Sequence, residues 1–144
     1  MMFQQAVEVY RNVAVETAHP LKLVIMAYQG AVAALDRAIS ALEERDYRRK
    51  SEEIQKAVAL VSELLAALDV ERGGQIAKAF SSLYAYFLKR LLEADAHKDM
   101  KALKEVRSHL AQLQEAWEEL CEGKTQVSPN PERNSTASWQ GIRP

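Results

Sequence analysis

Cysteine is almost missing from these 144 residues: Cys121 stands alone. No intramolecular disulfide can form, and with no CxxC or neighbouring His the thiol carries no redox or zinc motif. An excess of either charge is missing too. Nineteen basic residues meet 20 acidic ones, for a net charge of -1, which argues against the basic surface of a dominant nucleic-acid role. The one basic cluster, "RDYRRK" (Arg45 to Lys50), is short, lacks interleaved aromatics and reads as a solvated loop. Long apolar runs are absent as well. The longest, "LVIMA" from Leu23, falls far short of the ~18 residues of a membrane span. The start "MMFQQAVEVYRNVAVE" has no basic region leading into an apolar block, so it is no secretory signal. A cytoplasmic protein is the simplest expectation.

Proline is also scarce where it would matter. Between Pro20 and Pro129 there is none, and the interval is filled with Ala, Leu, Glu, Lys and Gln, the residues that cost a helix least. Four helices are expected. The first starts at Pro20, a favoured first-turn residue, and carries Val24, Tyr28, Ala31, Leu35, Ala38 and Leu42 on one face, widened by Ile25, Val32 and Ile39. The second starts near Asp46 as N-cap and uses Ile54, Ala57, Val58, Val61, Leu64, Leu65 and Leu68. The third starts near Gly74 and uses Ile76, Phe80, Leu83, Phe87 and Leu91. The fourth follows Asp99 and uses Leu103, Val106, Leu110, Leu113, Trp117 and Leu120. Steps of three and four give coiled-coil-like seams, and short links force neighbours antiparallel. The expected fold is all-α: an up-down four-helix bundle over residues 20–121. A segment at 1–19, with Val7, Tyr10, Val13 and Ala14 at weak helical spacing, forms a short docked helix in this reading. Residues 122–144, rich in Ser, Pro, Asn and Gly, cannot bury enough apolar area to fold and are expected to be a disordered tail.

Catalytic signals are weak throughout. Gly73 and Gly74 run into an apolar helix, but neither the Walker nor the dinucleotide spacing is present and no strand precedes them. They read as a tight reversal between helices two and three. A di-iron bundle needs two Glu-x-x-His pairs on facing helices. Only Glu16 and His19 fit, just before Pro20, while His97 and His109 lack a second ligand at helical spacing. No nucleophile motif stands out. No enzyme, cofactor or metal is expected.

What remains is apolar surplus. With ~100° per residue, Leu23 and Met26 fall outside the core arc of helix one. On helix three, Tyr84 sits at the edge of the arc, and Leu88, Leu92 and Tyr86 lie progressively outside it. Single exposed apolar residues are ordinary, and a docked N-terminal segment would cover some. A partner-binding face is the functional alternative.

Two stretches sharpen that alternative. In "VETAHPLKLVIMAYQGAV", Val15, Glu16, Thr17, Ala18, Pro20, Lys22, Leu23, Tyr28, Gly30 and Ala31 resemble a motif of the flagellin-specific export chaperones, the FliS family. In "LDVERGGQIAKAFSSLYAYF", Leu68, Asp69, Glu71, Gly73, Gly74, Ile76, Ala77, Leu83, Tyr84 and Tyr86 resemble a second. Tyr10 agrees upstream, and the resemblance covers about residues 8 to 120. His19, Ala27, Gln29, Gln75 and Ala79 depart from the pattern, the last four near the surfaces of helices one and three. The resemblance implies a cytoplasmic bundle that binds the C-terminal segment of flagellin, contacts the export apparatus and could pair with itself when free of cargo. The partner-binding candidates are therefore Tyr10, Leu23, Met26, Ala27, Tyr28, Ala79, Tyr84, Tyr86 and Leu88. A generic bundle adaptor or homodimer, and a bundle metalloenzyme, are the other classes, separable by co-purification and metal analysis.

Overall fold

The computed structural model describes residues 8–10 and 20–122. Val7, Val13, Ala14, Glu16, His19 and the chain beyond Glu122 lie outside the described residues, and so do the expectations placed on them. Four helices follow in order: α1 (Pro20–Glu43), α2 (Tyr47–Ala66), α3 (Val70–His97) and α4 (Met100–Cys121). Each packs on the next and α4 returns to α1, so the four make a closed square with α1 diagonal to α3.

The links are short because each ends on an aspartate that caps the following helix. Asp46, Asp69 and Asp99 accept from the backbone N–H of Arg49, Arg72 and Ala102 at 3.2, 3.0 and 3.1 Å, satisfying a donor that a helix start otherwise leaves orphaned. Before two of these caps the preceding helix closes with a left-handed residue, Arg45 at φ 61° and Lys98 at φ 54°. The Asp46 and Asp99 amides then reach back to the Ala41 and Ala94 carbonyls at 2.8 and 3.1 Å. That is the Schellman closure. The caps at Asp46 and Asp99 were legible in the sequence.

The link between α2 and α3 differs from expectation. Ala67 to Asp69 begin the reversal, and a short first turn from Val70 precedes a break at Gly74, from which the long part of α3 runs. Gly73 and Gly74 lie just inside α3, where Gly74 (φ 58°, ψ -134°) puts a kink in the helix. That backbone region is open to glycine and strained for other residues.

The core holds the expected positions. Val24, Tyr28, Ala31, Leu35 and Ala38 of α1 meet Ile54, Ala57, Val61 and Leu64 of α2, and Leu103, Val106, Leu110, Leu113, Trp117 and Leu120 of α4 are all buried. On α3 the buried face is Ala77, Phe80, Tyr84, Phe87, Leu91 and Ala94. Tyr84 is its centre, not its edge: it stands four residues after Phe80 and three before Phe87, and its hydroxyl finds partners inside. Leu88 also differs from expectation, being half-buried against the core. The α1 segment Leu21–Glu43 is, by length and composition, apolar enough to cross a membrane. No such segment was expected from the run lengths, because its apolar residues are spread over a helical face. Here that face forms one wall of the core.

The two ends of the bundle are built differently. At one end a polar clamp crosses each of the four helix interfaces. Arg37 pairs with Glu53 (α1–α2, 2.9 Å), Lys50 with Asp95 (α2–α3, 2.8 Å), Arg90 with Glu105 (α3–α4, 2.9 Å) and Arg107 with Asp36 (α4–α1, 2.8 Å). Lys50 is the most deeply buried member, followed by Glu53. The Lys50 ammonium also donates to the Asp95 carbonyl at 2.8 Å, and Ser51 donates to the Asp95 carboxylate at 2.6 Å. Burial alone would raise the Asp95 pKa. The hydrogen bonds from Lys50 and Ser51 outweigh it and hold the carboxyl below its ordinary value. The opposite end is aromatic and apolar.

Candidate functional site

At the aromatic end, α1 begins with Leu23, Met26, Ala27 and Gly30 at steps of three, one and three, which aligns them in one stripe. The last turns of α2 present Leu60, Glu63, Leu64 and Ala67 in the same spacing. Between the stripes lies a groove of about 450 Å³, lined also by the buried Val24, Leu64 and Tyr10 and by Glu63. Gly30 of α1 leaves room for the end of the Leu60 side chain of α2. A Cβ at that position would come within 2.9 Å of Leu60 Cδ1. Leu23 and Met26 stand on the wall at 45% and 60% exposure. A long thioether and a branched alkyl chain left in water beside an apolar trough offer non-directional, adaptable contact to another apolar surface.

Behind the groove, three tyrosines and a tryptophan form a hydrogen-bonded chain. The hydroxyls of Tyr10 and Tyr84 lie 2.5 Å apart and those of Tyr84 and Tyr28 lie 2.6 Å apart, while Trp117 Nε1 donates to the Tyr28 hydroxyl at 3.3 Å. All four rings are fully buried. Burial is the main reason that the Tyr10, Tyr28 and Tyr84 phenols ionise well above their ordinary value. At neutral pH each is a neutral O–H that can give one hydrogen bond and accept others. Tyr10 also meets Trp117 edge-on at 5.5 Å between ring centroids.

Residues 9 and 10 are thus fastened from three sides. The Val9 carbonyl accepts from the Asp69 amide at 2.8 Å. Val9 also rests on Gly73, where a Cβ would come within 3.1 Å of the Val9 Cα. Tyr10 supplies the third hold through Tyr84. Four motif residues of the second stretch serve this junction: Asp69 caps and anchors, Gly73 admits residue 9, Gly74 bends α3 and Tyr84 joins Tyr10 to Tyr28.

The candidate residues therefore separate. Tyr10, Leu23, Met26 and Ala27 line one groove. Tyr28 and Tyr84 lie behind it in the core. Ala79 is exposed on α3. Tyr86 is 43% exposed, and its phenol donates to Glu105 of α4 at 2.5 Å. It belongs to the α3–α4 seam, away from the α1–α2 groove. The sequence reading put α1 and α3 residues on one face, but these helices are diagonal. The α2 wall (Leu60, Glu63, Ala67) was missed. Its signal was the surplus of apolar residues in "ALVSELLAALD" beyond the seam.

The chain matches the family described as "Flagellar protein FliS" over residues 2–124. The chain belongs to the FliS family of flagellar secretion chaperones. It is 38% identical over 125 residues to "Flagellar secretion chaperone FliS" of Salmonella typhimurium, covering 83% of this chain and 93% of that one. With "Flagellar secretion chaperone FliSB" of Pseudomonas aeruginosa the identity is 33% over 122 residues, covering 82% and 97%. With the FliS of Bacillus subtilis it is 28% over 124 residues, covering 86% and 92%. FliS family membership makes this a chaperone of flagellar export and not an enzyme.

Proposed function

We propose that the protein binds the C-terminal segment of flagellin in the cytoplasm, holds it from premature polymerisation and keeps it competent for export. The observation that carries this reading is the α1–α2 groove, with Leu23 and Met26 exposed on its wall and Tyr10 in its lining. A free amphipathic segment with an uncovered apolar face self-associates. A trough of matching character covers that face, and the segment folds as it binds. Tyr10 is part of the groove's lining, and in this reading residues 9–10 stand in the path of a cargo helix that runs past it. The N-terminal segment then regulates access by withdrawing or staying.

The test is to mix the protein with full-length flagellin and with flagellin lacking its C-terminal segment, and to read complex mass by light scattering after size exclusion. A complex with the first and none with the second is expected. Equal binding to both would overturn the cargo assignment, and binding to neither would favour a generic adaptor.

A further inference from the structure

One charged side chain, Glu63, lines the α1–α2 groove, and every other residue of the lining is uncharged. Glu63 is exposed, and among the described residues its carboxylate meets neither a cation nor a hydrogen-bond donor. Lys22 lines the separate depression between α1 and α4 and not this groove.

The position is a poor one for a carboxylate. Glu63 stands in the last turn of α2, which ends at Ala66, and the carbonyl end of a helix repels negative charge. No basic residue in that turn offsets it. The helix end also lacks the closure found at the other two links. There the Asp46 and Asp99 amides turn back to the preceding helix, whereas the Asp69 amide goes to Val9. Leu64 and Ala67 of the same turn line the groove beside Glu63. A carboxylate and the negative end of a helix thus lie together at an apolar trough, and both attract a cation. Local rules are broken in this way where a residue serves something other than the fold.

Charge is divided along the bundle in the same sense. The half that holds the groove, residues 20–31, 57–83 and 111–122, carries seven acidic and three basic side chains. The other half, residues 32–56 and 84–110, carries ten acidic and twelve basic. A segment approaching the groove therefore meets a negative field before it meets Glu63.

Building on the reading of this groove as the cargo site, we propose that it selects a segment with a lysine or arginine beside its apolar stripe, and that Glu63 and the C-terminal end of α2 receive that cation. Leu23 and Met26 offer contact without direction. The carboxylate supplies what they lack, fixing the register and the direction in which the segment lies.

The test is the affinity of purified flagellin for Glu63→Gln and Glu63→Lys at low salt, with Glu115→Gln as the control for overall charge. Glu115 is exposed on α4 and lines neither depression. Glu63→Gln is expected to weaken binding about three- to tenfold, and Glu63→Lys further. Salt at about 0.5 M should erase the difference between Glu63→Gln and the unmodified protein. Glu115→Gln should bind as the unmodified protein does. When the lysines and arginines of the flagellin C-terminal segment are changed to Glu one at a time, Glu63→Lys should restore the binding of one of them. Glu63→Gln should melt no lower than the unmodified protein, because this carboxylate supports nothing within the fold. Equal binding by Glu63→Gln, an equal loss with Glu115→Gln, no restored pair or a lowered melting temperature overturns the proposal and leaves the cargo reading intact. An unmodified protein that binds no flagellin overturns both.

Discussion

Tyr84 joins two parts of the chain that are far apart in sequence, since its hydroxyl is shared by Tyr10 and Tyr28. Replacing it by Phe leaves both neighbours short of a buried partner, at about 1–3 kcal/mol for the unsatisfied groups. Tyr84→Phe is therefore expected to lower the urea midpoint with little change in slope. The same hydroxyls set an alkaline limit. In the unfolded chain they ionise near 10.0, while burial raises all three in the fold. Above that pH the folded state holds protons that the unfolded state has lost. Their contribution is complete below about pH 10 and falls as pH rises towards the folded values, by ~1.4 kcal/mol per pH unit for each tyrosine. Urea titrations between pH 8 and 11 should show this decline, and Tyr84→Phe should make it shallower. An equal decline in the two proteins would place the alkaline sensitivity elsewhere. Little of this relay was legible beforehand. Periodicity gave Tyr28 a place in the core, but a phenol at the margin of an apolar arc reads as an edge residue until its hydroxyl partner, 74 positions away, is known.

At the scale of elements, residues 9–10 are held at the α2–α3 link, beside the groove that Tyr10 helps to line. Gly73→Ala would bring a Cβ within 2.7 Å of the Ala77 Cβ and 3.1 Å of the Val9 Cα, so something must move. Residue 9 is the side held by fewer covalent constraints. The Asp69 amide, which donates to the Val9 carbonyl, should then exchange its hydrogen faster. Gly74→Ala is the contrast. Open space surrounds that position but its φ is 58°, so the cost is backbone strain of about 1–3 kcal/mol, and the Asp69 amide should stay protected. Faster exchange in both, or in neither, would contradict the contact. The helices and two of three caps could be read from seams and aspartates, because both are local signals. The roles of Gly73 and Gly74 could not, because they depend on residue 9 passing nearby and not on the neighbours of the glycines in the chain.

Across the whole molecule, a clamped polar end faces an aromatic end with grooves, and the clamps are unequal. The Lys50 side chain is 3% exposed and that of Arg107 is 39% exposed. Asp95→Ala removes the carboxylate partner of a buried ammonium, at a cost towards the lower end of ~3–5 kcal/mol because the Asp95 carbonyl remains. Asp36→Ala breaks an exposed pair worth about 0–1 kcal/mol. Thermal melts should rank them in that order, and equal losses would contradict the burial assigned to Lys50. The bundle itself was legible because seam spacing and short links leave few ways to close four helices. The pairing of faces was not, since spacing within one helix does not say which neighbour lies beside it. Hence α1 and α3 candidates were grouped although the groove joins α1 to α2.

The most direct measurement is the binding isotherm of flagellin to the double variant Leu23→Asp/Met26→Asp, set beside Tyr86→Phe. Burying one such apolar side chain contributes roughly 1.5–3 kcal/mol, or about ten- to a hundredfold in affinity. The double variant is expected to weaken binding by at least about tenfold while melting near the unmodified protein, because both positions face solvent at the groove wall. Tyr86→Phe, on the α3–α4 seam, is expected to leave affinity unchanged. A double variant that folds normally and binds flagellin as tightly as the unmodified protein would show that the α1–α2 groove is not where cargo is held.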